Sequence, residues 1–194
     1  MKPTTTASIL AGGMSRRMGF NKAFIKVGGQ FIIERSLKTL RSVFDEVNII
    51  ADDTALYGGL GAVVWPDEIK GAGSLGGVYT ALLHSTGDRA FVTACDMPAI
   101  EAASVRRTVE LFTAGDAAVP FIGGRYHPMH AVYSKSCINH IEEMIRAGDL
   151  RINSLLDRIT VQRLTEEAYG KVAIAASVTN INTQEDLSKA GIEI

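Results

Sequence analysis

The chain has 194 residues, a length that fits one domain. Apolar residues make up 46% and charged residues 21%, a composition typical of a folded globular protein, which excludes a disordered chain. Lys and Arg number 20 against 21 Asp and Glu, so the formal charge of −1 gives no overall electrostatic signature for nucleic acid or an anionic membrane.

Neither a targeting segment nor a membrane anchor is predicted. The apolar run Ala7–Ala11 is shorter than a signal-peptide core, and charges interrupt every longer apolar stretch before the ~20 residues that a membrane helix needs. Cys95 and Cys137 lack metal-ligand or C-x-x-C spacing, so we expect two reduced thiols. The sequence therefore predicts a cytoplasmic protein with no membrane or nucleic-acid partner.

Predicted strands and helices alternate along the first part of the chain. The strands are Ala7–Ala11, Glu46–Ala51, Gly61–Trp65, Arg89–Ala94 and Ala117–Pro120, and the helices are Phe31–Phe44, Leu75–His84 and Glu101–Phe112. Beyond them the pattern gives an extended segment at Tyr126–Ser134, helices at Lys135–Ala147 and Thr183–Ala190, and short strands at Ile159–Leu164 and Val172–Ala175. This order predicts an α/β fold, single-domain, doubly wound and Rossmann-like, with a mostly parallel sheet. In such a fold, ligands lie beyond the carboxyl ends of the strands.

A glycine-rich basic loop, LAGGMSRRMGFNK, follows the first strand at 10–22. Its glycines fit neither a Walker A loop nor a G-x-G-x-x-G fingerprint, but Gly12 and Gly13 allow backbone N–H groups to approach an anion. Three cations lie in the same loop, Arg16, Arg17 and Lys22. The loop therefore predicts phosphate binding, with Lys22 solvated when no ligand is bound; the alternative is a glycine-rich turn with exposed basic residues.

A carboxylate, Asp96, follows the apolar run Ala90–Ala94 at the carboxyl end of a central strand. Mg²⁺ on phosphate substrates takes one or two protein carboxylates, so this position is suited to a metal ligand. The alternative is a cap for the helix that begins near Glu101, but Asp96 lies too far upstream for that. We therefore expect Mg²⁺ at Asp96.

A second carboxylate, Asp67, follows the strand that ends at Trp65, and the glycine cluster 71–77 opens the next helix. A carboxylate can accept two parallel N–H bonds, for example from N1 and the exocyclic amine of guanine. The alternative is a turn, because Pro-Asp in a turn needs no function. Composition alone leaves both interpretations open.

Two further pairs of polar residues are weaker candidates. His127 and His130 have no third ligand nearby and a proline between them, so we expect the core or the wall of a substrate pocket rather than a metal site. Asn180 and Asn182 alternate along a predicted extended segment and point to one side. Their alternative role is a turn that leads to an N-cap at Thr183.

Five motifs in order resemble those of the molybdenum cofactor guanylyltransferases, within the nucleotidyltransferase superfamily. They are LAGG…RMG…K at 10–22, PDE…GAGSLGGVYTAL at 66–82, CDMP at 95–98, VPFIGGRYHPMHAVY at 119–133 and NINTQEDL at 180–187. One motif alone would indicate only the superfamily, whereas all five in sequence are specific to the family.

The resemblance implies transfer of GMP from Mg-GTP to the terminal phosphate of molybdopterin, or of its Mo-bound form, with release of pyrophosphate. It implies catalytic roles for Lys22, Arg17 and Asp96, with Asp96 as the Mg²⁺ ligand. The residues implied in GTP binding are Leu10, Ala11, Gly12, Gly13, Gly19, Lys22, Asp67, Gly73, Gly77 and Asp96, and those on the molybdopterin side are Arg151, Asn180 and Asn182. We assign 1–120 to a nucleotide-binding half and 121–194 to an acceptor-side half of one domain, with molybdoenzyme-maturation proteins as further partners.

The chain departs from the family pattern at three places. Asn21 stands where an aspartate usually precedes the lysine, and Ser74 stands where proline is usual. The residue after the second strand that often contacts the base is not recognisable, since Ile50, Ala51 and Asp52 compete for its place.

The pair Gly12-Gly13 favours guanine as the base, because the cytidylyl relatives usually carry LAAG in place of LAGG. The alternatives are a related cytidylyl- or sugar-phosphate nucleotidyltransferase and a non-catalytic nucleotide or pterin carrier.

Overall fold

The computed structural model describes residues 5–12, 21–181 and 186. The strands are β1 (Thr5–Leu10), β2 (Lys26–Val27), β3 (Gln30–Phe31), β4 (Val47–Ile50), β5 (Val63–Trp65), β6 (Arg89–Ala94), β7 (Ala117–Ile122), β8 (Arg125–Tyr126), β9 (His130–Ser134) and β10 (Val161–Thr165). The helices are α1 (Ile32–Arg41), α2 (Thr54–Tyr57), α3 (Gly73–Leu83), α4 (Ala102–Leu111), α5 (Cys137–Arg146), α6 (Ile152–Leu156), α7 (Glu166–Tyr169) and α8 (Ile174–Ser177), with 3₁₀ turns at Lys22–Phe24 and Gly58–Leu60. The predictions for Gly13, Arg16, Arg17, Gly19, Asn182 and the helix at 183–190, apart from Asp186, lie outside the described residues.

One mixed sheet organises the described chain, with strand order β10-β7-β9-β6-β1-β4-β5 and β8 paired to β7. The pairs β6–β1, β1–β4, β4–β5 and β10–β7 are parallel, whereas β9 is antiparallel to both β6 and β7. The predicted α/β class with a mostly parallel sheet is confirmed. The short hairpin β2–β3 forms a separate two-stranded sheet.

Helices cover both faces of the sheet, and successive strand residues serve opposite faces. Ile9 packs into the cluster under α1 and α4, while its neighbour Leu10 packs into the cluster under α3 and α5. Strands buried on both sides are continuous apolar runs, which explains why β4 and β6 were recognisable in the sequence. Each fully buried Leu or Ile contributes about 1.5–3 kcal/mol to folding.

The prediction of a strand at Val172–Ala175 is wrong. The chain forms α8 there, and Ile174 and Val178, four residues apart, are both 3% exposed in the core under α4. A short apolar run has no periodicity long enough to separate strand from helix. The helices α2, α6 and α7 and the strands β2 and β3 were not predicted either, and each has only two to five residues.

Candidate active site

The two loops that carry Gly12 and Asp96 leave neighbouring strands at the place where the chain reverses direction across the sheet. From β1 the chain builds β4 and β5 on one side, and then crosses to β6 on the other side. The N–H of Cys95 donates to the carbonyl of Leu10 at 3.0 Å, so the parallel pairing continues to the very end of both strands. Such a crossing point is where open α/β sheets bind ligands.

An ion pair bridges this crossing point. Lys22 Nζ lies 3.2 Å from Asp96 Oδ2, and the two side chains are only 15% and 17% exposed. The expectation that Lys22 is solvated without a ligand is therefore wrong, because a cation this close to a half-buried carboxylate is drawn into a pair. The two residues lie 74 positions apart in the sequence, so no local pattern indicated this contact.

Asn21 fixes the start of the turn that carries Lys22. Its Oδ1 accepts the N–H of Ala23 at 3.0 Å, and its Nδ2 donates to the hydroxyl of Tyr57 at 2.7 Å. The same hydroxyl donates to the carbonyl of Ala11 at 3.1 Å. An aspartate could accept the first bond but not donate the second, so the departure at Asn21 has a structural reason.

The two carboxylate oxygens of Asp96 differ: Oδ2 pairs with Lys22, whereas Oδ1 does not. Its Oδ1 is buried and accepts no hydrogen bond from any residue that the structure describes. Within the described ranges, no three His, Cys, Asp or Glu side chains come close enough together to hold a metal ion. Asp96 is therefore suited to supply one carboxylate oxygen to a metal whose other ligands come from substrate and water.

Asp67 lies against the beginning of the glycine-rich loop. A Cβ placed on Gly12 would stand 3.1 Å from Asp67 Oδ2, so the glycine allows a close approach that a side chain would crowd. Asp67 Oδ1 is buried and accepts no hydrogen bond from the described part of the chain. Burial, and secondarily the charge of Asp52, raise the pKa of Asp67 to about 6.

The three residues that competed for the place after β4 differ sharply in burial. Ile50 and Ala51 are each 1% exposed, while Asp52 is exposed and acts electrostatically on Asp67. Asp52 is therefore the one of the three whose side chain faces solvent beside the candidate site.

The raised pKa of Asp67 leads to a stability prediction for Asp67→Asn. The folded state binds a proton more tightly than the unfolded state, so the wild type loses stability as pH rises from about 4 to 6. The neutral variant avoids this loss, and we expect it to be more stable at pH 8 by about 1–2 kcal/mol. Urea unfolding at pH 4 and pH 8 measures the difference, which should vanish at pH 4.

Asp52→Asn is the matched control for this prediction. It removes only the smaller, Coulombic cause of the raised pKa, so the gain at pH 8 should be a fraction of that in Asp67→Asn. Equal stability of Asp67→Asn and wild type at pH 8 would show that the carboxylate is not desolvated.

Two of the predicted site glycines serve the backbone and the packing. Gly73 opens α3 at φ +57°, a conformation that side chains rarely adopt. A Cβ on Gly77 would stand 2.7 Å from Leu10 Cδ1, so this glycine lets α3 pack closely on β1. Leu10 and Gly77 are both buried, and their close packing alone explains why these residue types stand there.

The predicted acceptor-side residues lie in two places. Asn180 is half-buried beside Ile181, whose N–H donates to the carbonyl of Asp96 at 2.9 Å, so this segment joins the Asp96 loop directly. Arg151 lies in the turn between α5 and α6, with its side chain 80% exposed and its Nε 3.0 Å from Asp149 Oδ1. The side-chain hydrogen bonds of Arg151 are to Asp149, and among the described residues none reaches the Lys22–Asp96 pair.

The two histidines belong to the interior. His130 is fully buried, edge-on to Phe91, and desolvation lowers its pKa to about 3, so the ring is neutral. His127 is 8% exposed and lies 3.2 Å from the carbonyl of Ile122 through Nε2. Of the two predicted places, the core and the wall of a substrate pocket, the core is where His130 lies.

A mostly parallel sheet with a lysine–aspartate pair at its crossing point is suited to bind a phosphorylated ligand together with a metal ion. A family profile described as the MobA-like NTP transferase domain matches residues 7–176. The chain belongs to this family.

Relatives of nearly the same length support the assignment. A probable molybdenum cofactor guanylyltransferase of Pelotomaculum thermopropionicum is 40% identical, with 96% of this chain and 92% of the relative covered. A molybdenum cofactor guanylyltransferase of Desulfosudis oleivorans is 35% identical, with 95% and 93% covered. The resemblance drawn from the five motifs is confirmed.

Solved structures share the fold. Molybdopterin-guanine dinucleotide biosynthesis protein A from Archaeoglobus fulgidus has a TM-score of 0.82 at 29% identity, over 95% of this chain and 96% of that one. A 2-C-methyl-D-erythritol 4-phosphate cytidylyltransferase from Thermus thermophilus has a TM-score of 0.68 at 21% identity, over 94% and 95%, and shows the fold alone. Within the described residues, no helix is both long and apolar enough to cross a bilayer.

Proposed function

We propose that this protein transfers GMP from Mg-GTP to the terminal phosphate of molybdopterin, or of its Mo-bound form, and releases pyrophosphate. The names of its full-length relatives support the reaction. The observation that carries the proposal is the Lys22–Asp96 pair, 3.2 Å apart where the chain crosses between β1 and β6. It combines a cation for phosphate oxygens with a carboxylate for a metal.

Magnesium fits the residues at Asp96. The buried, unbonded Oδ1 provides a lone pair for a hard cation, and nucleotide phosphates and water are the ligands that usually complete Mg²⁺ coordination. When bound, the metal neutralises charge on the phosphates. Lys22 adds a second positive charge from the neighbouring loop, with its turn fixed through Asn21.

The reaction joins an oxygen of the acceptor phosphate to the α-phosphorus of GTP and breaks the bond from that phosphorus to the oxygen bridging the α- and β-phosphates. A phosphate nucleophile is already ionised near pH 7, so no general base is required. The protein then acts by positioning and by charge stabilisation. Lys22 and the N–H of Gly12 are the described groups placed for this, since the N–H of Ala11 already donates to the carbonyl of Ile50 at 2.9 Å. The roles of Gly13, Arg17 and Gly19 remain predictions from the sequence.

We assign recognition of the base to Asp67. Its ionised carboxylate can accept both N1–H and the exocyclic amine of guanine, whereas adenine offers no such pair of donors. The raised pKa means that the acceptor form is lost as pH falls below about 6. The affinity for GTP should therefore decline below that pH.

Asp67→Asn tests base recognition separately from stability. We expect GTP binding to weaken about 10–100-fold, as for loss of hydrogen bonds to a charged group, while ATP binding changes much less. The variant should also lose the decline of GTP affinity below pH 6. Calorimetric titration with both nucleotides measures this, and equal losses for GTP and ATP would assign Asp67 to the ribose or to loop support.

The acceptor is proposed to lie on the side of Asn180. The backbone bond from Ile181 to Asp96 brings this segment next to the phosphate site, which suits an acceptor that must approach the α-phosphorus. Arg151 is proposed as a more distant contact to the acceptor, and Asn182 keeps the role implied by its motif. The assignment of 1–120 to the nucleotide and 121–194 to the acceptor remains part of the proposal.

A pyrophosphate-release assay tests the whole proposal. With molybdopterin and Mg²⁺, GTP should support release well above CTP and ATP, and leaving out molybdopterin should abolish it. Preference for CTP would indicate a cytidylyltransferase, and nucleotide binding without release would indicate a carrier. The free thiols Cys95 and Cys137 fit a reducing compartment, and we place the reaction in the cytoplasm.

A further inference from the structure

A buried hydroxyl on α3 holds the backbone directly after Asp67. Thr80 is 0% exposed, and its Oγ1 accepts the N–H of Glu68 at 3.0 Å. The same hydroxyl donates to the carbonyl of Gly76 at 3.0 Å, one helical turn earlier. With its donor and acceptor capacities both engaged, the hydroxyl fixes residue 68 relative to the helix.

His84, at the C-terminal end of α3, contacts the residues on both sides of Pro66–Asp67. Nε2 of His84, the C-cap of α3, lies 2.8 Å from Glu68 Oε1. The His84 ring also stacks on Trp65, with ring centroids 3.8 Å apart and an interplanar angle of 11°. The residues on both sides of the Pro66–Asp67 dipeptide are therefore attached to α3.

The carboxylate of Asp67 needs such support because its own contacts do not supply it. Its Oδ1 accepts no hydrogen bond in the described ranges, although burial makes the ionised form unfavourable there. An ionised group in that situation gains free energy by moving toward water, so the position of its backbone matters for keeping it near Gly12.

We infer that Thr80, assisted by His84, is a positioning residue for nucleotide recognition, which holds the Asp67 carboxylate beside Gly12. The inference rests on the proposed role of Asp67 in reading the base. Thr80 does not itself touch the nucleotide. It acts through the backbone of Glu68.

Three variants separate positioning from general stability. Thr80→Val keeps the shape but removes the hydroxyl, and Thr80→Ser restores the hydroxyl. Thr108→Val is the matched control, since Thr108 is also 0% exposed, donates to a carbonyl four residues earlier at 2.8 Å, and bonds Tyr169 on another helix at 2.8 Å. Both Val variants should lose similar stability in urea unfolding.

The decisive readout is calorimetric binding of GTP and ATP. In Thr80→Val we expect GTP affinity to fall about tenfold, as for loss of one well-placed hydrogen bond, with ATP affinity nearly unchanged. Thr80→Ser should remain within about twofold of wild type, and Thr108→Val should bind both nucleotides normally. Normal GTP affinity in Thr80→Val would overturn the inference, and so would equal weakening in the two Val variants.

His84→Phe keeps the test decisive if Thr80→Val does not fold. The phenyl ring retains the stack on Trp65 but cannot bond Glu68, and a side chain that is 22% exposed tolerates the change. We expect GTP to bind about threefold more weakly, since only the outer of the two attachments is lost. Unchanged affinity would then overturn the inference.

The double variant Thr80→Val/Asp67→Asn separates the positioning role of Thr80 from the base-recognition role of Asp67. If Thr80 acts through Asp67, the double variant should bind GTP no more weakly than Asp67→Asn alone. Additive losses would overturn the positioning role while leaving the role of Asp67 intact. An Asp67→Asn variant with wild-type GTP affinity would instead overturn the proposed role of Asp67, and the positioning role with it.

Discussion

Lys22→Ala is expected to lower the turnover number for GMP transfer by about 10²–10³, the usual loss when one preorganised charge stabiliser is removed. The lysine stands at the sheet crossing with its Nζ 3.2 Å from Asp96, so its charge is already directed at the place where the phosphates are proposed to lie. A pyrophosphate-release assay at saturating GTP and acceptor measures the effect.

The matched control for this variant is Lys26→Ala. Lys26 is exposed on β2, where its Nζ lies 5.4 Å from the ring centroid of Phe31, and it belongs to the same stretch of chain. It should retain nearly full turnover. A Lys22→Ala enzyme with near-normal turnover would mean that the triphosphate lies elsewhere and that the loop is an ordinary turn.

The stability of Lys22→Ala also differs from what the sequence alone predicts. A solvated lysine could be removed at no cost, but the pair with Asp96 is largely shielded from water. Loss of the partner should lower the free energy of unfolding by about 1 kcal/mol, too little to unfold the protein. The catalytic loss therefore has to be measured on folded enzyme, which urea unfolding verifies.

The positions of the site carboxylates were predictable because they follow from the parallel sheet. Asp67 and Asp96 each follow a short apolar run, and the carboxyl ends of parallel strands meet at one edge. No helix or cap had to be located accurately for this conclusion. An error of one or two residues in a strand boundary leaves the residue at the same edge.

The contacts that hold the site in place could not be predicted. Thr80 sits in an apolar helical pattern, and nothing in that pattern shows that its hydroxyl meets the backbone twelve residues earlier. Asn21 and Tyr57 are separated by 36 residues, and their bond depends on how α2 packs against Ala11 and Asn21. Such contacts are set by tertiary packing, which local periodicity does not encode.

Asp96→Asn is expected to spare nucleotide docking and to reduce GMP transfer by about 10²–10³, similar to the loss of one preorganised charge stabiliser. The amide keeps the shape of the side chain but is a much poorer ligand for a hard cation. It also removes the negative charge that pairs with Lys22, so the lysine becomes more available to phosphate. GTP should therefore bind without Mg²⁺ at least as well as in the wild type, and added Mg²⁺ should strengthen its binding less.

Calorimetric titration of GTP with and without Mg²⁺, beside a pyrophosphate-release assay, separates these two effects. Asp88→Asn is the control, because Asp88 is exposed next to the amino end of β6, at the end of the strand opposite Asp96. That variant should keep both the activity and the Mg²⁺ response. Full activity in Asp96→Asn with an unchanged Mg²⁺ requirement would remove Asp96 from the metal site. Equal loss of GTP binding with and without Mg²⁺ would instead make it a structural anchor for Lys22, since the amide would then act through the lysine alone.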